Sequence, residues 1–349
     1  MISLKSKTLC NYYSNNPSEY YIKFIHHNID IKEETPTEYK NIEEDLKNIY
    51  KFDSTAFMLY FSDIENLEKI INNTGIDYYN KIYLRIRTID EYNSFKKLKV
   101  NNKIKLIVDI KDIEVLDITD FELVIQVDTV HDLSISKLKE LLSKYKITYI
   151  LVGQIPYLSK DYDYLYNVMS KMYNIDSSRK LELEKMNKIT NDIYSVDEYI
   201  KILDKFQKVI EQLEIKNTIE GIYKIFHYIA NNVLYDDDGV KETKITNQNL
   251  IGPVLCNVGV CEGYSKFLQQ MLSLIGVKSI VVQGGGAKEE GGHVWNQIML
   301  NNKWYNADVT VASYDIRHGK KVSTYLVKDS NLLYKTYTSI SYKCNENFF

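Results

Sequence analysis

Five short apolar runs, rich in β-branched and aromatic residues, begin near Ala56, Ile82, Ile104, Glu122 and Ile147, and their starts lie 26, 22, 18 and 25 residues apart. No other feature constrains the fold as strongly. A gap of about 20 residues is too long for a hairpin and fits one strand plus one crossover helix, the unit that joins parallel strands. Between the runs, stretches such as 63–73 and 136–146 carry apolar residues at helical spacing. The runs are almost continuously apolar, so the expected fold class is an α/β module with a mostly parallel sheet covered on both faces. They share no common motif, which argues against a solenoid. An open sheet and a partial barrel both fit.

The expected organisation is an extension at 1–50, the βα module at 51–175, a helical connector at 176–216 and a domain of different texture at 217–349. In the extension, Phe24 and Ile25 belong to a strand or a short helix. Residues 157–233 read as mostly helical, with breaks near 174–177 and 215–218 and helices over 195–213 and 218–232. Ser195 followed by Glu198 has the form of a capping box. From Thr243 onward glycine becomes frequent, and both tryptophans, Trp295 and Trp304, fall there.

Charge bears on function. The 44 Lys+Arg against 47 Asp+Glu give a net charge of −3, which excludes a broad nucleic-acid surface. Four cysteines are too few for a disulfide framework in a chain of 349 residues. No apolar run approaches the ~18 residues of a membrane-spanning helix, and the N-terminus lacks the apolar segment of a signal peptide. The expected setting is cytoplasmic, with reduced thiols and no membrane partner.

The stretch Val258-Gly259-Val260-Cys261-Glu262-Gly263-Tyr264 leads into Tyr264, Phe267, Leu268, Met271, Leu272 and Ile275 at helical spacing, and Gly276 supplies a stop. Cys261 therefore sits at a helix start. Unsatisfied N–H groups and the positive end of the helix dipole favour a thiolate there.

Downstream, residues 293–300 and 303–310 read as two strands joined by Asn301-Asn302. With a two-residue loop, Leu300 faces Lys303, Trp295 faces Asp308 and His293 faces Thr310. His293 and Asp308 then lie diagonally on one face, within side-chain reach. A three-residue loop would send Asp308 to the opposite face. A cysteine at a helix start, a histidine on a strand and an aspartate beside it have the logic of a nucleophile, a base and an orienting acid.

The pattern GVCEGYSKFLQQMLSLIGV, followed by GGHVWNQIMLNNKWYNADVT, resembles the transglutaminase-like superfamily of papain-fold proteins, its bacterial members most. Residues 232–236 resemble the family's lead-in, and the likeness covers about 217–310. It implies an α+β papain-like domain, with Cys261 as nucleophile, His293 as general base and acid, and Asp308 as third member. The implied reaction is acyl transfer through a thioester: a peptide, isopeptide or glutamine amide is attacked, and water or an amine resolves the intermediate. The sequence departs from the family after Asp308, where Val309-Thr310-Val311-Ala312-Ser313-Tyr314 replaces a tryptophan and acidic residues.

The Cys261 N–H is the natural first oxyanion donor. Tyr235, Gln248 and Asn249 are candidates for the second, and Trp295 for a wall of the site. Hydrolysis of a peptide or protein substrate is the preferred reading, with protein cross-linking and a non-catalytic scaffold as alternatives. No cofactor or metal is expected. Gly284-Gly285-Gly286 lacks the ending of a phosphate loop and reads as lid material. Residues 236–239 make a poor calcium loop, His26-His27 has no ligand cluster around it, and Cys256 reads as a plain thiol. A small anion near Arg85 and Arg87 is a further expectation, since ligands of parallel sheets gather at the C-terminal strand ends.

Overall fold

The computed structural model describes residues 23–29, 55–61, 82–98, 104–153, 192–237, 245–285, 292–332, 335–336 and 342–349. The chain divides into two compact units. One is made of Met1–Val127, Asp132–Gly153 and Lys185–Val196, the other of Asp128–His131, Gln154–Glu184 and Asp197–Phe349. The segments 63–73 and 157–191, expected to be helical, lie outside the described residues.

The first unit holds strands β1 (Lys23–Ile29), β2 (Thr55–Phe61), β3 (Ile82–Ile86), β4 (Lys105–Asp109), β5 (Glu122–Val127), β6 (Lys146–Val152) and β7 (Asp192–Ser195). All five apolar runs are strands, and the segment around Phe24 and Ile25 is another. The sheet order is β1-β2-β3-β4-β5-β6-β7. The first six strands are parallel, and β7 runs antiparallel to β6. An order that never reverses is singly wound. Right-handed crossovers then carry the helices described between β3 and β6 to the same face, unlike the helices of a doubly wound sheet.

Helices α1 (Ile89–Lys96) and α3 (Ile135–Leu142) begin where the hydroxyls of Thr88 and Ser134 accept from the N–H groups of Glu91 and Lys137. The short α2 (Ile113–Leu116) lies between them. Helix α3 ends earlier than the periodicity of 136–146 suggests, because the chain re-enters the sheet at Lys146. Leu106, Ile107 and Val108 are consecutive and wholly buried, so β4 is covered on both faces.

The second unit opens with α4 (Val196–Gln212) and α5 (Ile219–Asn232), the latter capped by Thr218. There follow β8 (Leu234–Tyr235), α6 (Ile245–Gln248), a π-helical turn at Ile251–Cys256 and β9 (Val258–Gly259). The central helix α7 (Cys261–Leu274) leads to β10 (Ser279–Gly285), β11 (Gly292–Leu300), β12 (Lys303–Ala307), α8 (Val309–Arg317) and β13 (Lys335–Thr336). An antiparallel sheet of order β12-β11-β10-β13 stands beside a two-stranded parallel pair, β8-β9.

Helix α7 buries Tyr264, Phe267, Leu268, Met271 and Leu272, five of the six residues that its periodicity singled out; the sixth, Ile275, is its half-buried C-cap. Gly276, at φ +73°, follows its end, a conformation that costs glycine nothing. Between β11 and β12, Asn301 and Asn302 both have positive φ, +50° and +61°, the signature of a two-residue type I′ turn. Leu300 accordingly pairs with Lys303 and Asn296 with Ala307. Among the described residues no helix is long and apolar enough to cross a membrane.

Candidate active site

Cys261 is the first residue of α7, after an extended N-cap at Val260 that offers no side-chain cap. The first-turn N–H groups of this helix of 14 residues have no intrahelical acceptors, so the sulfur sits at the positive end of the helix. The Cys261 side chain is partly exposed. Beside it, Glu262 pairs with the buried Lys266 at 2.8 Å, so the neighbouring carboxylate is balanced within the helix.

The helix start is anchored from the loop before it. The Val260 N–H donates to the Asn247 carbonyl at 3.0 Å, and the Asn247 amide donates to the Asp236 carboxylate. Gly263 makes this approach possible, because a Cβ there would stand 2.3 Å from the Asn247 carbonyl oxygen. That obstacle is backbone and cannot swing aside. Gly263→Ala is expected to cost about 1–3 kcal/mol through overpacking and to lower activity by shifting Cys261. Thermal denaturation and turnover measured on the same preparation check both.

His293 lies near the start of β11, and Asp308 directly follows β12. The His293 Nε2 and Asp308 Oδ2 atoms are 2.7 Å apart, with the two residues 8 % and 1 % exposed. Burial alone would push the imidazole down. The hydrogen bond and charge of Asp308, joined by the influence of the Cys261 sulfur, instead raise it to about 10. With Nε2 engaged by Asp308, Nδ1 is the nitrogen left to exchange a proton with the sulfur.

One expectation is corrected here. The second strand ends at Ala307 rather than Thr310, and the chain turns into α8, so His293 does not face Thr310. The reason is the aspartate itself. Asp308 is the N-cap of α8, its Oδ1 accepting from the N–H groups of Thr310 and Val311 at 3.1 Å each. Capping and the burial of Val309 and Ala312 override the strand preference of the β-branched residues 309–311. The segment that departs from the family pattern is thus the first part of a helix.

Two hydrogen bonds tie α7 to β11. The Ser265 hydroxyl donates to the Val294 carbonyl at 3.0 Å, and the Asn296 amide donates to the Ser265 carbonyl at 2.9 Å. They fix the sulfur-bearing helix against the histidine-bearing strand. Trp295 stacks near His293, with ring centroids 5.9 Å apart, and donates from Nε1 to Asn306 Oδ1 at 3.1 Å. It is also a core residue, packed with Ile280 and Val282, so wall and core are not exclusive roles for it.

The other candidates are spread more widely. Tyr235, on β8, pairs in register with Gly259, two residues before Cys261, and is 37 % exposed. Gln248 closes α6. Asn249 is buried, and its side-chain oxygen accepts from the Ile251 N–H at 2.8 Å, a local turn bond. Sequence reasoning missed Asp236, Asn247, Ser265, Asn296 and Asn306. For Asn296 a signal existed, its place in the His-Val-Trp-Asn motif; the others act through contacts distant in sequence. Arg87, expected near an anion, is taken by Glu91, to which it donates from Nε at 3.1 Å and from Nη2 at 2.7 Å. Among the described residues no group of three His, Cys, Asp or Glu could hold a metal ion. Gly284 and Gly285, expected as lid material, are instead the last two residues of β10, paired with β11 and β13. Residues 238–239 of the calcium-loop reading and residues 286–291 lie outside the described residues, as do the side chains of His26 and His27.

Residues 207–309 match the family model of the transglutaminase-like superfamily. Among solved structures the chain is similar to a TGase, at 18 % identity over 44 % of this chain and 38 % of that one, with a TM-score of 0.28. It is also similar to a candidate cysteine protease from Cytophaga hutchinsonii, at 15 % identity over 31 % of this chain and 37 % of that one, with a TM-score of 0.27. The chain therefore covers less than two fifths of either structure's length. No curated protein matches it.

Proposed function

We propose that the chain, whose residues 207–309 match the transglutaminase-like family model, is a cysteine-dependent enzyme acting on amide carbonyls of peptides or proteins, with hydrolysis as its main outcome. The observation that supports this reading is the buried His293–Asp308 pair, whose imidazole feels the Cys261 sulfur at a helix N-terminus.

In the proposed sequence the Cys261 sulfur attacks the carbonyl carbon. A C–S bond forms, and the π electrons move onto oxygen. The Cys261 N–H stabilises that oxyanion. As the carbonyl reforms, the C–N bond breaks and the His293 imidazolium gives its proton to the departing nitrogen. A thioester remains. Neutral His293 then takes a proton from water as the water oxygen attacks, and the sulfur leaves with its electron pair, restoring the thiolate–imidazolium pair. Asp308 holds the ring and balances its charge throughout. Water needs no acceptor pocket, whereas cross-linking requires one for a lysine side chain, which is why hydrolysis is preferred.

The test is incubation of the protein with a glutamine- and lysine-containing peptide mixture plus a primary-amine probe, read by mass spectrometry. The expected products are cleaved or deamidated peptides, with little probe incorporated. Dominant incorporation would move the reading to transferase. No covalent change in any peptide would support a scaffold instead.

The raised imidazole also sets a pH dependence. A folded-state value above the unfolded one of about 6.5 gives stability that is fully present below that value and lost as pH rises through about 10. Activity that needs the imidazolium is expected to fall on an alkaline limb near the same pH. Removing the Asp308 charge is expected to move that limb to lower pH, measurable as kcat/KM against pH.

A further inference from the structure

The first unit carries a second polar centre, inside its parallel sheet. Arg85 on β3 is in register with Ile107 on β4, and Ile107 with Val124 on β5. Asp109 and Gln126, themselves in register, lie two residues further along β4 and β5. Because side chains alternate along a strand, Arg85, Asp109 and Gln126 share one face. They gather toward the C-terminal ends of three adjacent strands. The opposite face is apolar at the same levels: Leu84, Ile86, Leu106, Val108, Leu123 and Ile125 are all buried.

Arg85 and Gln126 are 6 % and 1 % exposed. Arg85 Nη2 stands 3.7 Å from Asp109 Oδ2, an ion pair longer than a hydrogen bond. Neither Nε2 nor Oε1 of Gln126 has a hydrogen-bond partner among the described residues. A buried carboxamide with both ends unsatisfied is costly whichever way it is turned, and such groups are rare in folded proteins. An apolar residue would suit a strand that served only as scaffold.

From this juxtaposition we infer a binding site at the C-terminal end of the parallel sheet, formed by Arg85, Asp109 and Gln126, for a small molecule bearing a carboxamide. The donor and acceptor of Gln126 match the acceptor and donor of a guest amide in a paired, two-bond contact. A guest carboxylate would satisfy the Gln126 N–H and leave its Oε1 unpaired. Asp109 already balances the Arg85 charge, so the guest need not be an anion. The site requires nothing of Cys261 and is independent of the reaction proposed there.

The experiment is calorimetric titration of the full chain with L-glutamine, the blocked N-acetyl-L-glutaminamide and L-glutamate, each into wild type and Gln126→Met. The expected result is saturable binding of at least one carboxamide by wild type, at least tenfold weaker for L-glutamate than for L-glutamine, and at least tenfold weaker in Gln126→Met. Peptide turnover in that variant is expected to equal that of wild type, which separates this site from the one at Cys261. Circular dichroism verifies that the variant folds; where it does not, Arg85→Lys, which keeps the charge and loses the planar fork, replaces it with the same expected loss. The proposal is overturned if neither carboxamide binds wild type saturably, or if wild type and the folded variant bind equally.

Discussion

Replacing Cys261 with alanine is expected to reduce turnover by on the order of 10⁴-fold or more, with the thermal midpoint within a few degrees of wild type. The asymmetry follows from the position of the side chain. It is partly exposed at the start of a helix whose packing rests on Tyr264, Phe267, Leu268 and Met271, so removing a sulfur atom opens no core cavity. Chemically the loss is total, because no thioester can form. Cys256, exposed five residues earlier in the chain, is the internal control: Cys256→Ala is expected to leave turnover unchanged. Single-turnover assays with a chromogenic amide measure both. Wild-type turnover in Cys261→Ala would refute the assignment.

Asp308→Asn is expected to cost up to about 10⁴-fold in kcat, the extent set by which way the new amide turns, for a reason particular to this fold. The carboxylate has two tasks at once. Its Oδ1 accepts from two backbone N–H groups at the start of α8, and its Oδ2 meets His293 Nε2 at 2.7 Å. A carboxamide has only one oxygen. If that oxygen keeps the cap, the NH₂ faces His293 and needs Nε2 as acceptor. The ring proton then sits on Nδ1, toward the sulfur, and the imidazole cannot serve as a base. If the amide turns over, the histidine is satisfied and an N–H points at the helix N-terminus, costing about 1 kcal/mol of capping. Asp308→Asn is therefore expected to lose activity with its stability nearly intact, or to keep some activity while melting earlier. Turnover and melting measured together distinguish the two orientations. Full activity with full stability would contradict the dual role.

What the sequence revealed depended on whether the determinants were local. The five apolar runs were legible as strands because strands buried on both faces must be almost continuously apolar. Their order was not, since a spacing of about 20 residues fits single and double winding equally well. The start of α7 was legible from its periodicity and from Gly276. The His293–Asp308 approach followed from turn parity, because two asparagines that tolerate positive φ permit a two-residue loop. Helix α8 stayed hidden, since Val309-Thr310-Val311 carries strand propensity and only a contact made in three dimensions shows Asp308 to be a cap. Asp236 falls in the lead-in stretch 232–236, but nothing in the sequence pairs it with Asn247 to brace the nucleophile. Gln126 looked like the polar end of a strand, and only its burial without partners marks it out.

The central claim is that Cys261, His293 and Asp308 act as one relay, and the alkylation rate of Cys261 by iodoacetamide tests it most directly. Cys256, exposed in the same molecule, supplies the reference rate in every sample. Near pH 6.5 the sulfur of residue 261 is predicted to react far faster than that of residue 256, and to lose most of that advantage in His293→Ala. Equal rates at the two cysteines, unchanged by the histidine substitution, would contradict the relay.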